Sequence, residues 1–362
     1  MKKTILITLI TALFTVAVLH GAYLLFHRSE TIVKEQLRVG FLLSHDESDP
    51  YACNVLRDAD ALAEAFGGAV TVSVKVNVKK EAADEAISAL VADGCDLIFS
   101  AEPLFADGMK ALAAAHPGVQ FCCAFANADG ANANFHSFSP RIREGAYVTG
   151  VIAGQKIREM IDGGKLAADK ALIGFLYGAS DEGAFPVTDS AFAAGVRSVA
   201  PEAVFTAVRA SAPQYECERI AAKELIDEGC LILVPYTETA APVEACEKAG
   251  GVFLVSADRT PSDMAPTTAL AAFRVNCLAY MTSAAEAVRL GIRIESNAAG
   301  TVSGNDVSAG FDREWLAITE INRLISPTGA EKAAAKAIEQ IKRGTVAVDI
   351  DTGDTFLPSL GA

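Results

Sequence analysis

The sequence predicts two α/β lobes, each an open parallel sheet with helices on both faces. From Leu37 onward, short apolar runs alternate with stretches of helical periodicity, the pattern of βα units and hence of parallel sheets. The alternation is interrupted at NFHSFSPRIREGAYVTGVIAG, Asn134 to Gly154. That stretch is extended before Pro140 and becomes a Gly- and Ala-rich helix after it, as suits a chain leaving one lobe and entering another. Beyond it the same alternation resumes. At 362 residues the chain is too long for one ordinary domain and comfortable for two.

The first lobe opens with LRVGFLLS, Leu37 to Ser44, an apolar run read as a buried parallel strand. A helix from Tyr51 to Phe66 stops at Gly67 and Gly68, as helices commonly do. A strand over Val70 to Val76, a helix over Lys79 to Asp93, a strand over Asp96 to Ser100, a helix over Leu104 to Ala115 and a strand over Val119 to Phe125 follow. After the crossover helix, strands are expected at Ala171 to Tyr177, Val204 to Val208, Leu231 to Pro235 and Val252 to Ser256. The helices between them are expected at Thr188 to Val199, Pro213 to Glu228 and Ala240 to Ala249. A long helix is expected over Phe273 to Leu290, strand-like segments near Thr301 and Val307, helices over Trp315 to Leu324 and Glu331 to Arg343, and a late strand at Val346 to Ile350. The outcome is two Rossmann-like lobes with a tail that revisits both. The expected division is 37–138 plus about 268–312 for lobe 1, and 139–267 plus about 313–362 for lobe 2.

Ahead of the lobes, Lys2 and Lys3 precede an uncharged apolar run from Thr4 to Phe26. As a helix this run is about 35 Å long, enough to cross a bilayer. It has no small-x-small cleavage site and no Cys to receive a lipid, so residues 1–28 are expected to form an uncleaved transmembrane anchor in preference to a cleaved signal segment. The two leading Lys place the N-terminus in the cytoplasm and the body outside. Residues 29–36 form a linker.

Thirty-one Lys and Arg against 45 Asp and Glu leave a net charge of −14. That excludes the basic stripe of a nucleic-acid partner and fits a self-repelling monomer. Apolar residues make up 51% of the chain, enough for both lobes to bury a core. Among the five His no pair stands at i, i+3 or i+4, and the eight Cys include no CxxC pair, so no metal site is expected. Several Cys sit in apolar runs as small hydrophobes. No GxGxxG or GxxxxGK[ST] loop and no GxSxG elbow is present, so neither a cofactor nor catalysis is expected. Asp84, Glu85, Glu216 and Glu218 read as solvated helix faces, and Gly163-Gly164 and Gly250-Gly251 as helix stops.

Ligands of open parallel sheets bind beyond the carboxyl ends of the strands. There the first half carries Asp46, Asp49, Tyr51 and Asn54, then Glu102, then Phe125 and Asn127. The second half carries Tyr177, Asp181 and Phe185, then Tyr236, Thr237 and Glu238, then Asp258 and Arg259. Any one of these Asp or Asn residues also suits an N-cap or turn. Their recurrence at strand ends, with aromatic rings among them, suits a flat ligand with hydrogen-bonding edges.

Four stretches in register resemble the basic membrane protein family, the extracytoplasmic, purine-nucleoside-type binding proteins of ABC importers. They are FCCAFANADGANANFHSFSPRIREGAYVTGVIAG, LIGFLYGASDEGAFPVTDSAFAAGVRSVAPEA, ERIAAKELIDEGCLILVPYTETAAPVEACEKAGGVFLVSADRTPSDMAP and AAFRVNCLAYMTSAA. The resemblance covers roughly Leu37 to Val288. It implies a type I periplasmic-binding-protein fold, with three crossovers and a cleft that closes on a purine nucleoside or base. It also implies ABC permease subunits as partners. Carried over by position, it implies a ligand site built from Asp49, Tyr51, Asn54, Phe125, Phe138, Arg141, Tyr177, Phe185, Tyr236, Glu238, Asp258 and Arg274. The chain departs from the family where it lacks a lipid-bearing Cys. It departs again where Ala210, Ser211 and Ala212 replace a tryptophan-rich loop, and where Tyr236, Thr237 and Glu238 replace His-Thr-Asp. A ligand sensor of the same fold, signalling to a membrane partner, is the alternative function.

Overall fold

The computed structural model describes residues 33–179, 186–237, 239–257, 265–319 and 321–348. The apolar N-terminal run lies outside them. Among the described residues no helix is long and apolar enough to cross a membrane.

Two sheets divide the chain. The first lobe contains β1 (Leu37–Leu42), α1 (Pro50–Ala65), β2 (Val70–Lys75), α2 (Ala83–Ala92), β3 (Leu97–Ser100), α3 (Ala106–Ala115), β4 (Gln120–Ala124) and β5 (Phe135–Pro140). After α4 (Ile142–Asp162) come β6 (Leu172–Tyr177), α5 (Pro186–Arg197), β7 (Val204–Arg209), α6 (Tyr215–Asp227), β8 (Ile232–Tyr236), α7 (Ala241–Ala249), β9 (Phe253–Ala257) and β10 (Ala269–Val275). The chain then returns through α8 (Leu278–Leu290), α9 (Ile294–Asn297), β11 (Thr301–Ser303) and β12 (Asp306–Ala309). The last elements among the described residues are β13 (Leu316–Ile318) and α10 (Ala330–Lys342).

The first sheet has the order β11-β12-β5-β4-β3-β1-β2 and the second β13-β10-β9-β8-β6-β7. Apart from the antiparallel pairs β11–β12 and β10–β13, all pairing is parallel. The first five strands of each lobe follow the same order, β2-β1-β3-β4-β5 and β7-β6-β8-β9-β10. Strand order therefore reverses between β1 and β3, and again between β6 and β8. A repeated local device underlies this symmetry. Each lobe places Leu, four residues, then Cys ahead of a central strand: Leu90 with Cys95, and Leu225 with Cys230. In both, the Cys N–H donates to the Leu carbonyl, at 3.1 and 3.0 Å. In both, Leu and Cys pack over a strand glycine, Gly40 or Gly174, where a Cβ would crowd them.

The crossover helix α4 owes its glycines to packing. A Cβ at Gly154 would stand 2.7 Å from the Val196 carbonyl oxygen of α5, and one at Gly145 would stand 2.5 Å from the Phe273 ring of β10. Gly150 on α4 and Gly195 on α5 likewise face the partner helix's backbone. Small residues let α4 and α5 approach backbone to backbone, so α4 belongs to the second lobe. A cluster of buried side chains joins Phe41 and Phe99 of the first sheet to Phe175 and Tyr177 of the second. Further clusters lie under α2 and α3 and under α6 and α7. All eight Cys are free thiols, six of them buried.

Several expectations need correction. Phe273 lies in β10, not in a helix, and the helix starts at Leu278. The Ala-rich run ALAAFRV favours helix by propensity, but its strand is buried on both faces and small side chains admit α4. β10 belongs to the second sheet, whereas residues from about 268 were expected in the first lobe. Trp315 to Leu324 is no helix: Trp315 is buried and Leu316–Ile318 form an antiparallel edge strand. Residues 346–348 form no strand, and the rest of that expected strand lies outside the described residues. Glu218 is fully buried, accepting the Thr239 N–H at 3.0 Å, so it caps the turn before α7 instead of facing solvent.

Candidate ligand site

In each sheet the carboxyl ends of the strands flanking the order reversal are where a ligand of this architecture binds. In the first lobe these are the ends of β1 and β3. Glu102, just past β3, accepts the Ser44 N–H at 2.9 Å and the Ser44 hydroxyl, tying the two strand ends together. The Tyr51 hydroxyl donates to the Ala101 carbonyl at 2.9 Å, which fixes its half-buried ring over the same edge. Asp49 is the N-cap of α1, its Oδ1 accepting the Ala52 N–H at 2.8 Å. Asn54 is buried one turn later. Asp46 is held in the turn by Asn77 and Ser48, whose hydrogen bonds lower its carboxyl to about 2.

Phe125, just past β4, has φ +56°. Bulky side chains rarely adopt that conformation, and such strain gathers at functional sites. Its N–H donates to the Phe138 carbonyl at 2.9 Å, and its ring is half-buried. Phe138 itself is a correction. It is fully buried, stacked on Tyr280 at 4.3 Å and edge-on to Trp315 at 6.3 Å. It is a core ring with no face for a ligand.

In the second lobe Tyr177 ends β6 and Tyr236 ends β8, and the two are register partners across the reversal. Their rings stack at 5.8 Å with an interplanar angle of 16°. The stack continues through Phe175 to Phe205. Arg209 lies over the Tyr177 ring at 5.4 Å and donates to the Gly178 carbonyl at 2.8 Å. Tyr177 is fully buried, while Tyr236 is partly exposed. Sequence reading missed the residue that joins them. Asp189, in the first turn of α5, accepts hydrogen bonds from both hydroxyls. Burial pushes its carboxyl up to about 6, against those two bonds, and pushes both phenols well above their ordinary range. An Asp between Thr and Ser within a helix gives no sequence cue to such a partner.

The two arginines expected at the ligand belong to the crossovers. Arg141, between β5 and α4, pairs with buried Glu144 and with Asp312 of the β12–β13 passage. Glu144 also accepts the Phe311 N–H at 2.9 Å. Arg274, at the end of β10, pairs with buried Asp58 of α1 at 2.9 Å. Asp58 in turn accepts the Cys277 and Leu278 N–H groups at the start of α8, at 3.0 and 3.2 Å. Asn276 joins the second and third passages through its bonds to Trp315 and Glu314. Phe185, Glu238 and Asp258 lie outside the described residues. Among the described residues no group of His, Cys, Asp and Glu could hold a metal ion.

Solved structures share this fold. An ABC transporter solute-binding protein from Conexibacter woesei superposes with a TM-score of 0.68 at 17% identity, covering 86% of this chain and 98% of its own. A transcriptional activator of the comK gene from Bacillus halodurans superposes at 0.66 with 16% identity, covering 88% of this chain and 99% of its own. A solute-binding protein from Agrobacterium vitis, bound with α-D-tagatopyranose, superposes at 0.56 with 12% identity, covering 82% of this chain and 98% of its own. These likenesses concern the fold. A curated purine-binding protein of Brucella abortus is 28% identical over 256 residues, which are 66% of this chain and 65% of that protein, so the chain spans less than two thirds of that relative. The family model described as ABC transporter substrate-binding protein, PnrA-like, matches residues 60–314. The chain therefore belongs to the basic membrane protein (Bmp) family of ABC transporter substrate-binding proteins, a class that binds its substrate without transforming it.

Proposed function

We propose that this chain is the extracytoplasmic receptor of an ABC importer, and that it holds a purine nucleoside or base between its lobes and delivers it to permease subunits. The observation that carries this reading is the placing of aromatic rings at both order reversals. Tyr51 stands at the first reversal with the strained Phe125 past the neighbouring strand β4, and Tyr236 on its stack stands at the second. A flat heterocycle gains from stacking on such rings, and the Asp49 and Asn54 region supplies polar edges. The purine-binding relative supports the ligand class. By position in the family's pattern, Phe185, Glu238 and Asp258 are also assigned to the proposed site. The apolar run from Thr4 to Phe26 behind two Lys supports an N-terminal anchor with the body outside.

A thermal-shift screen of the full chain over nucleosides, bases, sugars and amino acids tests the reading. Adenosine or guanosine at a hundred times its dissociation constant should stabilise by about 2.7 kcal/mol. A shift by a sugar or an amino acid, with none by any purine, would overturn the ligand class.

A further inference from the structure

Asp189 lies behind the tyrosine stack and is fully buried. The Tyr177 hydroxyl donates to its Oδ2, and the Tyr236 hydroxyl also bonds its carboxyl. Its Oδ1 is buried with no hydrogen-bond partner among the described residues. A buried carboxylate oxygen left unpaired is costly, and a site serving stability alone would satisfy both oxygens or use an apolar side chain. The carboxylate instead serves two phenols that end the strands flanking the order reversal. Of these, Tyr177 is sealed under Arg209 and only Tyr236 is partly exposed.

We propose that Asp189 is a positioning residue of the ligand site: it tethers both hydroxyls from behind and so fixes the plane of the Tyr236 ring on which the ligand stacks. It does not touch the ligand. Hydrogen bonds to an ionised acceptor are shorter and stronger than neutral ones, so one carboxylate immobilises two rings before the ligand arrives. That removes ordering which binding would otherwise have to impose. The inference rests on the reading of Tyr236 as a stacking ring.

The test uses the full chain as wild type, Asp189→Asn, Tyr236→Phe and the double variant. Three quantities are measured: the near-ultraviolet circular dichroism of the tyrosines without ligand, the thermal midpoint at neutral pH, and adenosine affinity by equilibrium dialysis. Asp189→Asn removes a buried charge, so its midpoint should hold or rise while its tyrosine band changes and adenosine binds roughly tenfold more weakly. Tyr236→Phe keeps the ring and loses the tether, so it should weaken binding similarly. The double variant should be no weaker than either single, the non-additivity of groups acting as one unit. Additive losses, or an unchanged tyrosine band with wild-type affinity, overturn the proposal. If Asp189→Asn fails to fold, Tyr236→Phe decides alone, and wild-type affinity there overturns it. If the wild type itself does not bind adenosine, the stacking reading falls. The tyrosine band and midpoint of Asp189→Asn still decide whether the carboxylate holds the rings.

Discussion

Phe125 shows how one residue's backbone bears on the site. Its φ of +56° lies where a Cβ is penalised and glycine is not. Phe125→Gly and Phe125→Ala both remove the ring, so both should weaken purine binding by about tenfold, the loss of one stacked aromatic. Their stabilities should differ, with the Gly variant about 1 kcal/mol more stable than the Ala variant. Chemical denaturation of the two measures this, and equal stabilities would show that the conformation carries no strain. Asp189 gives a second residue-scale expectation. Its carboxyl is raised from the ordinary 3.8 to about 6 by burial, so the folded protein holds this proton more tightly than the unfolded chain. The associated stability is complete below about pH 4 and is lost as pH rises through about 6. Relative to Asp189→Asn, the wild type should lose stability across that window in denaturation experiments.

At the scale of elements, the α4–α5 contact decides how the second lobe packs. Gly150 and Gly195 each place a would-be Cβ against the other helix's backbone, and a backbone cannot swing aside as a side chain can. Gly150→Ala should therefore cost about 1–3 kcal/mol, read as a lowered thermal midpoint. The same substitution at Gly94, where nothing lies nearby but φ is +80°, should destabilise through the backbone alone, by about 1 kcal/mol. Elements with strong helical periodicity, a short apolar run or a glycine stop were legible in the sequence. β10 was not, because ALAAFRV has helical propensity and becomes a strand through its pairing with β9 and β13. Trp315 was misjudged for a related reason. Its segment reads as a helix, yet the ring is drawn into the core with Phe138 and Tyr280.

At the scale of the whole molecule, the three passages between sheets are fastened to one another. Arg141 links the first to the third, Asn276 the second to the third, and Asp58 holds the second to α1. Burial raises the Asp58 carboxyl, with Arg274 opposing it. Asp58→Ala would leave two helix-start N–H groups and a half-buried guanidinium without this acceptor. It should cost about 2 kcal/mol or more, measured by denaturation, and a neutral result would remove Asp58 from the hinge account. Two-lobe receptors close by bending such passages. Arg141→Met and Arg274→Met are therefore expected to alter the compaction seen by small-angle scattering on adding ligand, leaving the stacking rings in place. A scattering profile unchanged from wild type in both variants would count against that role.

Much of the molecule was fixed by local rules. Alternating strands and helices, glycine stops and the crossover at Pro140 are short-range properties, and they named the lobes; the resemblance of four contiguous stretches named the family. The strand ends were equally readable, because parallel order alone puts Tyr51, Phe125, Tyr177 and Tyr236 at the carboxyl edges. Roles within the site were decided by partners distant in the chain. Phe138 became core through Tyr280 and Trp315, the arginines became crossover residues through Asp58, Glu144 and Asp312, and Asp189 of α5 met two tyrosines at the ends of β6 and β8. A side chain's role follows from its neighbours and its solvent exposure, and both are set only when segments far apart in sequence pack together.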